Sequence, residues 1–377
     1  MPDVVPYIDE SLDEIDDESQ RFLPGLDVEE NADQEGEEYY AVEYSISSYG
    51  ADYPVDGLVK RIDAGSIFIP PFQRGYVWNI YRASRFIESL LLGLPVPAIF
   101  LSRDEGTQKL LVIDGQQRLR TLQYYYDGVF PAAEAAFKLK GVNARFEGST
   151  YKTLREEDRL RLDDSILHAI IVKQEKPLDE DPSSIYHIFE RLNTGGVLLQ
   201  PQEIRSCIFH GPLSKLLHEL NSDVRWRAIF GKVSSRMRDQ ELILRFFALF
   251  YNQSDYSKPM KEFLNRFMAH HRSLNAGTAA EFRRAFEETV RLIYDALGTK
   301  AFKPKRAVNA ALCDAVMVGT ASRLKAGLVE DAAAMKAAYA GLLANADFQA
   351  AIGSATTNDA SVHARLKLAR GAFATVP

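Results

Sequence analysis

The sequence predicts an α/β region followed by an all-α region, and three observations carry that reading. Runs with β character are confined to the first half of the chain, before about residue 178. From about Asp181 onward the apolar spacing is almost wholly helical. A composition of 46% hydrophobic and 26% charged residues over 377 positions allows a core large enough to need no covalent staples. The resulting division is an acidic tail at 1–40, an α/β domain at 41–178 and a helical domain at 179–377.

In chain order, DYPVDGLVKRIDAGSI reads as a short helix ending near Gly65. The following IFIPPFQRGYVW is extended, because Pro70 and Pro71 forbid helix. Asn79 can cap a helix whose apolar positions Ile87, Leu90, Leu91 and Leu94 recur at helical spacing until Gly93 and Pro95 stop it. PAIFLSR and KLLVI are strands separated by the turn-like DEGTQ, and the second runs into Asp114-Gly115 and a helix, QQRLRTLQYYYDG. LHAIIVKQ adds a strand. Thereafter come SSIYHIFERLN, PQEIRSCIF, PLSKLLHEL, DQELILRFFALFY, MKEFLNRFMAHH, a long segment from Thr278 to Leu297, and three Ala-rich segments after Asn309.

The net charge of −7 conceals a division. Residues 1–38 hold fifteen Asp and Glu against the single Arg21, a net −14, which leaves the remainder at +7. Such a tail is either a solvated segment that aids solubility or a tethered polyanion that competes with an anionic ligand for a basic surface. Cys207 and Cys313 stand alone, with no C-x-x-C and no histidine at zinc-finger spacing. The first residues are acidic where a secretory signal is basic, and Pro95 and Pro97 break the longest apolar stretch, Leu90–Leu101. The expectation is a cytoplasmic protein that does not engage a membrane.

The strongest chemical signal is LLVIDGQQRLRTL. A buried strand that ends in Asp-Gly and opens a helix collects backbone N–H groups and the positive end of the helix dipole at one point, which suits an anion. There Gly115 allows close approach of a phosphate, Arg118 offers a bidentate fork, Gln116 and Gln117 add neutral donors and acceptors, and Asp114 could hold a magnesium ion. A purely structural alternative exists: Asp114 as N-cap with Gln117 three residues on forms a capping box. In PPFQRGYVW, Gln73 and Arg74 lie among Pro70, Pro71, Phe72, Tyr76 and Trp78; they read equally as functional residues or as surface residues flanked by core aromatics. In IFERLNTGGVLLQPQEIR one helix ends and another begins, so only Glu190, Arg191, Asn193 and Glu203 are candidates for more than a turn. Phosphate-loop, dinucleotide, nucleophile-elbow and zinc-protease signatures are lacking, and the seven histidines read as scattered surface residues. Basic residues among aromatics in VRWRAIFGKVSSRMRDQ and KPMKEFLNRFMAHHR are compatible with nucleic-acid contact or with solvated helix faces.

Taken together, PPFQRGYVW at 70–78, FIESLLLGLPVP at 86–97, VIDGQQRLRTL at 112–122, FERLNTGG at 189–196 with Glu203 and Ile204, and DQELILRFFAL at 239–249 carry a resemblance. The chain resembles the prokaryotic family known as domain of unknown function 262, with its DGQQR motif, of the GmrS and SspE type. That resemblance implies a ParB/sulfiredoxin-like N-terminal α/β domain and a helical second half, in proteins of modification-dependent restriction and anti-phage defence. It further implies binding and hydrolysis of a nucleoside triphosphate, often GTP, with magnesium. By position, Asp114, Gln117 and Arg118 would be the catalytic residues. Gln73, Arg74, Gly115, Gln116, Arg118, Arg191 and Asn193 would bind the nucleotide, and Asp114 the metal. Two-domain members add an HNH-type nuclease, and nothing after Asn309 resembles one: His363 is a lone late histidine.

The function expected is therefore that of a stand-alone NTP-dependent sensor or regulatory subunit. Its partners would be the nucleotide, DNA that includes modified phage DNA, and an HNH-type nuclease subunit, with homo-oligomerisation left open. The competing functions are a ParB-like DNA endonuclease in its own right and a non-catalytic DNA-binding or assembly module.

Overall fold

The computed structural model describes residues 28–29, 46–69, 76–104, 107–131, 135–175, 183–192 and 200–377. Apart from Val28–Glu29, the acidic tail lies outside the described residues, as do Gln73, Arg74 and Asn193.

The first half opens with β1 (Val28–Glu29), β2 (Ile46–Pro54), α1 (Val55–Asp63), β3 (Ile67–Phe68) and α2 (Ile80–Leu91). It continues through β4 (Ile99–Arg103), β5 (Leu110–Asp114), α3 (Gln116–Asp127), the short pair β6 (Val129–Phe130) and β7 (Ala135–Ala136), α4 (Glu156–Asp163) and β8 (Ile166–Gln174). Five strands form one mixed sheet in the order β2-β8-β4-β5-β3. β4 runs parallel to β8, with Ile99 opposite Ala169, and antiparallel to β5, where the register shifts between Phe100 and Leu101. β3 runs parallel to β5, and β2 antiparallel to β8.

Because successive strand residues face opposite sides, this sheet serves two cores. Leu101, Val112, Ala169 and Ile171 pack with α1 to α4 on one side. Phe100, Leu111, Ile113 and Val172 pack on the other with the helical half. Asn79 caps α2 by accepting from the Arg82 N–H at 2.9 Å; of the apolar positions read from the sequence, Ile87, Leu90 and Leu91 lie on its buried face, whereas Leu94 lies beyond the end of the helix and is exposed.

The helical half begins with α5 (Ser183–Leu192), α6 (Pro201–Ile208), α7 (Pro212–Leu220), α8 (Val224–Phe230), α9 (Arg238–Asn252), α10 (Met260–His270) and α11 (Ala276–Leu297). A two-residue strand, β9 (Val308–Asn309), leads into α12 (Ala310–Lys325), α13 (Ala332–Ala344), α14 (Ala346–Gly353) and α15 (Asp359–Ala374). α12 is the central helix: every residue from Ala310 to Ala321 is buried, against α9, α11 and α15. Gly319 lets α15 approach, since a Cβ there would lie 2.8 Å from the Phe373 ring and 3.1 Å from the Ala369 backbone. Cys207 and Cys313 are free thiols within this core. No helix among the described residues is long and apolar enough to cross a membrane.

The structure departs from the sequence reading at several elements, among them helix α8 and the short strands β1, β6, β7 and β9, which that reading did not name. β2 was not foreseen and takes Asp52–Pro54 away from the first helix; its burial pattern is mostly exposed, so this edge strand has no strong apolar alternation to betray it. α4, EEDRLRLD, was also unforeseen, because what fixes it is polar: buried Asp158 receives Arg145 and Arg155. After Asn309 there are four helices rather than three, the break between α13 and α14 being made by Asn345, which caps α14.

The helical half is tied at its centre by Asp314 of α12, which lies between two fully buried guanidiniums. Arg245 of α9 donates from Nε and Nη2 at 3.0 and 2.7 Å, and Arg365 of α15 from Nη2 at 2.8 Å. Burial opposes the charge on Arg365, and Asp314 supports it. Removing the carboxylate would strand two buried cations. Asp314→Asn is expected to cost about 3–5 kcal/mol in urea unfolding, against less than about 1 for an exposed pair such as Arg284–Glu288.

Candidate functional site

The site assembles where β5 hands over to α3. Gly115 makes the turn with φ 98°, a conformation that other residues adopt only with strain, and it is packed so tightly that a Cβ would lie 2.4 Å from Ile99 Cγ2. It is itself the N-cap of α3, and its carbonyl accepts the Leu119 N–H at 2.9 Å. The capping-box alternative for Asp114 is thereby overturned: Asp114 is the last residue of β5, and α3 has no side-chain cap. A cap must sit where the chain enters the helix, and the sharp turn at Gly115 takes that place.

Arg118, one turn into α3, folds back across this junction. Its Nη2 donates to Asp114 Oδ2 at 2.8 Å and to the Ala98 carbonyl at 3.1 Å, joining β5, the residue before β4, and α3. The Arg118 side chain is 15% exposed and the Asp114 side chain 40%, so the carboxylate is the accessible member of the pair. Arg118 Nε is buried with no hydrogen-bond partner among the described residues, leaving a donor to spare at this point.

The residues after PPFQRG dock on the same helix. Gln117 Oε1 accepts the Val77 N–H at 3.0 Å. Thr121 Oγ1 gives its proton to the Gln117 carbonyl at 2.7 Å, so the 2.8 Å contact between Tyr76 and Thr121 is one in which the Tyr76 hydroxyl donates. Burial pushes the Tyr76 phenol up to about 12, so it remains a donor at any working pH. Tyr76 also meets Tyr124 and Phe130 edge-on. Tyr76 and Trp78 are thus packed, half-buried, against the first core, and they fix the chain from Tyr76 onward against α3.

The third motif arrives from the opposite side of the sheet. Ile185 and Phe189 of α5 share the hydrophobic cluster of Ile113, and α5 packs on β5. Arg191 is exposed on the last turn of α5. Glu203, which follows this motif, is buried; it accepts the Gln200 N–H at 2.6 Å in a capping box at the start of α6 and pairs with Arg236 at 3.3 Å. Asp114, Gly115, Gln116, Gln117 and Arg118 therefore share one junction. Val77 and α5 bring the flanks of the other two motifs to it, while Gln73, Arg74 and Asn193 lie outside the described residues.

Of the nine cations in the basic and aromatic stretches that were open to nucleic-acid contact, four pair with carboxylates among the described residues, one of them Arg236 with Glu203. Arg227 pairs with Asp239, Lys261 with Glu190, and Arg272 with Asp104 of the first half. His187 of α5 corrects the reading of all histidines as surface residues. It is half-buried, with Nδ1 3.3 Å from Glu190 and Nε2 3.3 Å from Glu262 of α10. Only the spacing His187–Glu190, three residues on one helix face, hinted at it. Among the described residues no group of three or more His, Cys, Asp or Glu is arranged to hold a metal.

Two outcomes follow. Gly115→Ala is expected to lower stability by roughly 2–4 kcal/mol, through the clash on Ile99 and the left-handed backbone; urea unfolding at wild-type stability would refute the packing argument. Glu190 and Glu262 raise the His187 pKa from 6.5 to about 9, against burial and Lys261. A raised folded-state value stabilises fully below 6.5 and ceases to do so as pH rises through about 9. The stability advantage of the wild type over His187→Gln should hold below 6.5 as long as Glu190 and Glu262 stay ionised, and disappear across that window.

Residues 55–210, from α1 to just beyond α6, match the family model described as the GmrSD restriction endonuclease, N-terminal domain. No curated protein matches the chain significantly. The matched stretch holds strands β3, β4, β5 and β8 of the sheet, the DGQQR junction and the α5–α6 motif, so residues 55–210 are similar to this family of restriction-endonuclease domains.

Proposed function

We propose that the chain is the nucleotide-responsive component of a restriction or anti-phage system, binding and hydrolysing a nucleoside triphosphate, GTP foremost, at Asp114–Arg118. The similarity of residues 55–210 to that family supports a restriction or defence component that meets DNA. The observation that carries the nucleotide reading is the junction itself. A helix opens on glycine in place of a capping side chain, an accessible carboxylate stands at its mouth, and a buried guanidinium retains an unused N–H. The α3 N-terminus favours negative charge, and the Arg118 guanidinium behind it adds positive charge at the same point.

In this reading Gly115 keeps the approach to α3 clear and Gln116 borders the phosphates. Gln117, oriented by its bond to the Val77 amide, positions the attacking water. Arg118 balances the charge that grows on the phosphoryl oxygens, and Gln73, Arg74, Arg191 and Asn193 close the site from the flanking motifs. Magnesium would be held by Asp114 together with phosphate oxygens, and would supply neutralisation of the triphosphate charge. An HNH-type nuclease partner and DNA receive the output, since turnover without a coupled element would do nothing. One observation favours a second reading, a non-catalytic module: the bonds from Arg118 to Asp114 and to the Ala98 carbonyl make the motif a structural clasp as well.

Turnover of radiolabelled GTP and ATP, with and without DNA, separates the two. Asp114→Asn and Arg118→Lys are expected to lower turnover by about 10²-fold or more while melting close to the wild type. Arg118→Ala is less informative, because freeing the Ala98 carbonyl and Asp114 should itself cost about 1–3 kcal/mol. Wild-type turnover in Asp114→Asn overturns the site, and absence of turnover in the wild type favours the clasp alone.

A further inference from the structure

The turn joining α11 to α12 concentrates cations that have no carboxylate partner among the described residues. Between residues 296 and 313 the sequence has four cations, Lys300, Lys303, Lys305 and Arg306, and no acid. Lys300, Lys305 and Arg306 are exposed and Lys303 is half-buried, and none of the four makes an ion pair among the described residues. Elsewhere in this half, Arg205, Arg227, Arg245, Lys261, Arg272 and Arg283 each face a carboxylate.

The base of this turn is fixed. Ala301, Phe302 and Val308 are buried, and Phe302 lies 6.3 Å from the Trp226 ring. The Asn309 N–H closes the turn on the Phe302 carbonyl at 2.9 Å, and the Tyr339 hydroxyl donates to the Ala301 carbonyl at 2.8 Å. Four unpaired cations are thus held on a rigid apolar footing, and like charges kept this close gain from a polyanion.

The last element of the turn also pairs with Val28–Glu29, the described residues of the acidic segment. β1 pairs with β9 in parallel, Val28 opposite Val308 and Glu29 opposite Asn309. The register sets Glu29 beside the residue that caps α12, a helix with no acid of its own in the first turn. Asp27 precedes the ladder and Glu30 follows it, within the segment 1–38 of net charge −14.

We propose that the Lys300–Arg306 turn is a docking surface for a polyanionic chain, and that the protein's own acidic N-terminal segment, pinned through Val28–Glu29, is its resident occupant. A nucleic-acid backbone then reaches this turn only by displacing that segment. This second clause rests on the reading of the protein as a component that meets DNA; the docking of the segment does not.

The test uses three variants of the full chain, each checked for wild-type melting. One neutralises the acids between 27 and 38 (Asp27→Asn, Glu29→Gln, Glu30→Gln, Asp33→Asn, Glu35→Gln, Glu37→Gln, Glu38→Gln). One, Val28→Pro, removes an N–H from the ladder and leaves every charge. The third adds Lys300→Gln, Lys303→Gln, Lys305→Gln and Arg306→Gln to the first. A fluorescent peptide of residues 24–38 should bind the acid-neutralised chain and lose at least about ten-fold in affinity when the turn is neutralised too. Duplex DNA should bind the first two variants about ten-fold tighter than wild type at low salt. Its salt dependence should steepen by roughly 0.9 per phosphate gained, and the third variant should lose both effects. Peptide affinity that ignores the four turn substitutions overturns the docking surface. Peptide binding through the turn with identical DNA affinity in all chains keeps the surface and overturns the displacement of the segment by nucleic acid.

Discussion

Gly115 has no alternative residue, and the arrangement around it follows from that. The backbone must turn from β5 into α3 within one residue, at a positive φ, while lying flat against Ile99. Any side chain would push α3 away from β4. With α3 displaced, Arg118 could not reach both Asp114 and the Ala98 carbonyl, and Gln117 could not meet the Val77 amide. The glycine is therefore a packing requirement before it is a binding feature. The same absence of a side chain leaves the helix mouth without an internal cap.

The polar residues of the junction hold the fold and face its edge at once. Arg118 spends one amino group on a carboxylate and a carbonyl, which orients its plane, and keeps Nε in reserve. A guanidinium held in this way loses little further freedom when an anion arrives, which is what preorganisation requires. Tyr76, Thr121 and the Gln117 carbonyl form a one-directional relay of hydrogen bonds that fixes the approach of the second motif. Polar chains of this kind stabilise only when each member has a partner, so they constrain the neighbouring backbone strongly.

Much of this was legible in the sequence, and the exceptions share a cause. The α2 cap at Asn79, the β4–β5 pair, the strand-turn-helix at Asp114-Gly115 and the helical second half all announce themselves by periodicity and punctuation. β2 did not, because this edge strand is largely exposed on both faces and so carries little apolar alternation. α4 did not, because its anchor is a buried carboxylate receiving two arginines from loops. His187 looked like a surface residue because its second partner, Glu262, is distant in sequence. The capping box at Asp114 failed for a local reason: the pattern of residue types was right, but the chain enters the helix one residue later. Long-range polar pairing and exact entry geometry leave no periodic trace.

β5 has one further consequence. Leu110 and Val112 face the core of the first half, while Leu111 and Ile113 face that of the second, so the strand is a party wall between them. A party wall cannot be moved for one neighbour alone. Inserting or deleting a single residue between Leu110 and Asp114 would exchange the tenants of both sides together, placing each core's side chains in the other. Drift in the length of this strand is thereby barred twice over. For the same reason a displacement at the carboxyl end of β5 must be felt as strain in α5, which packs directly on it.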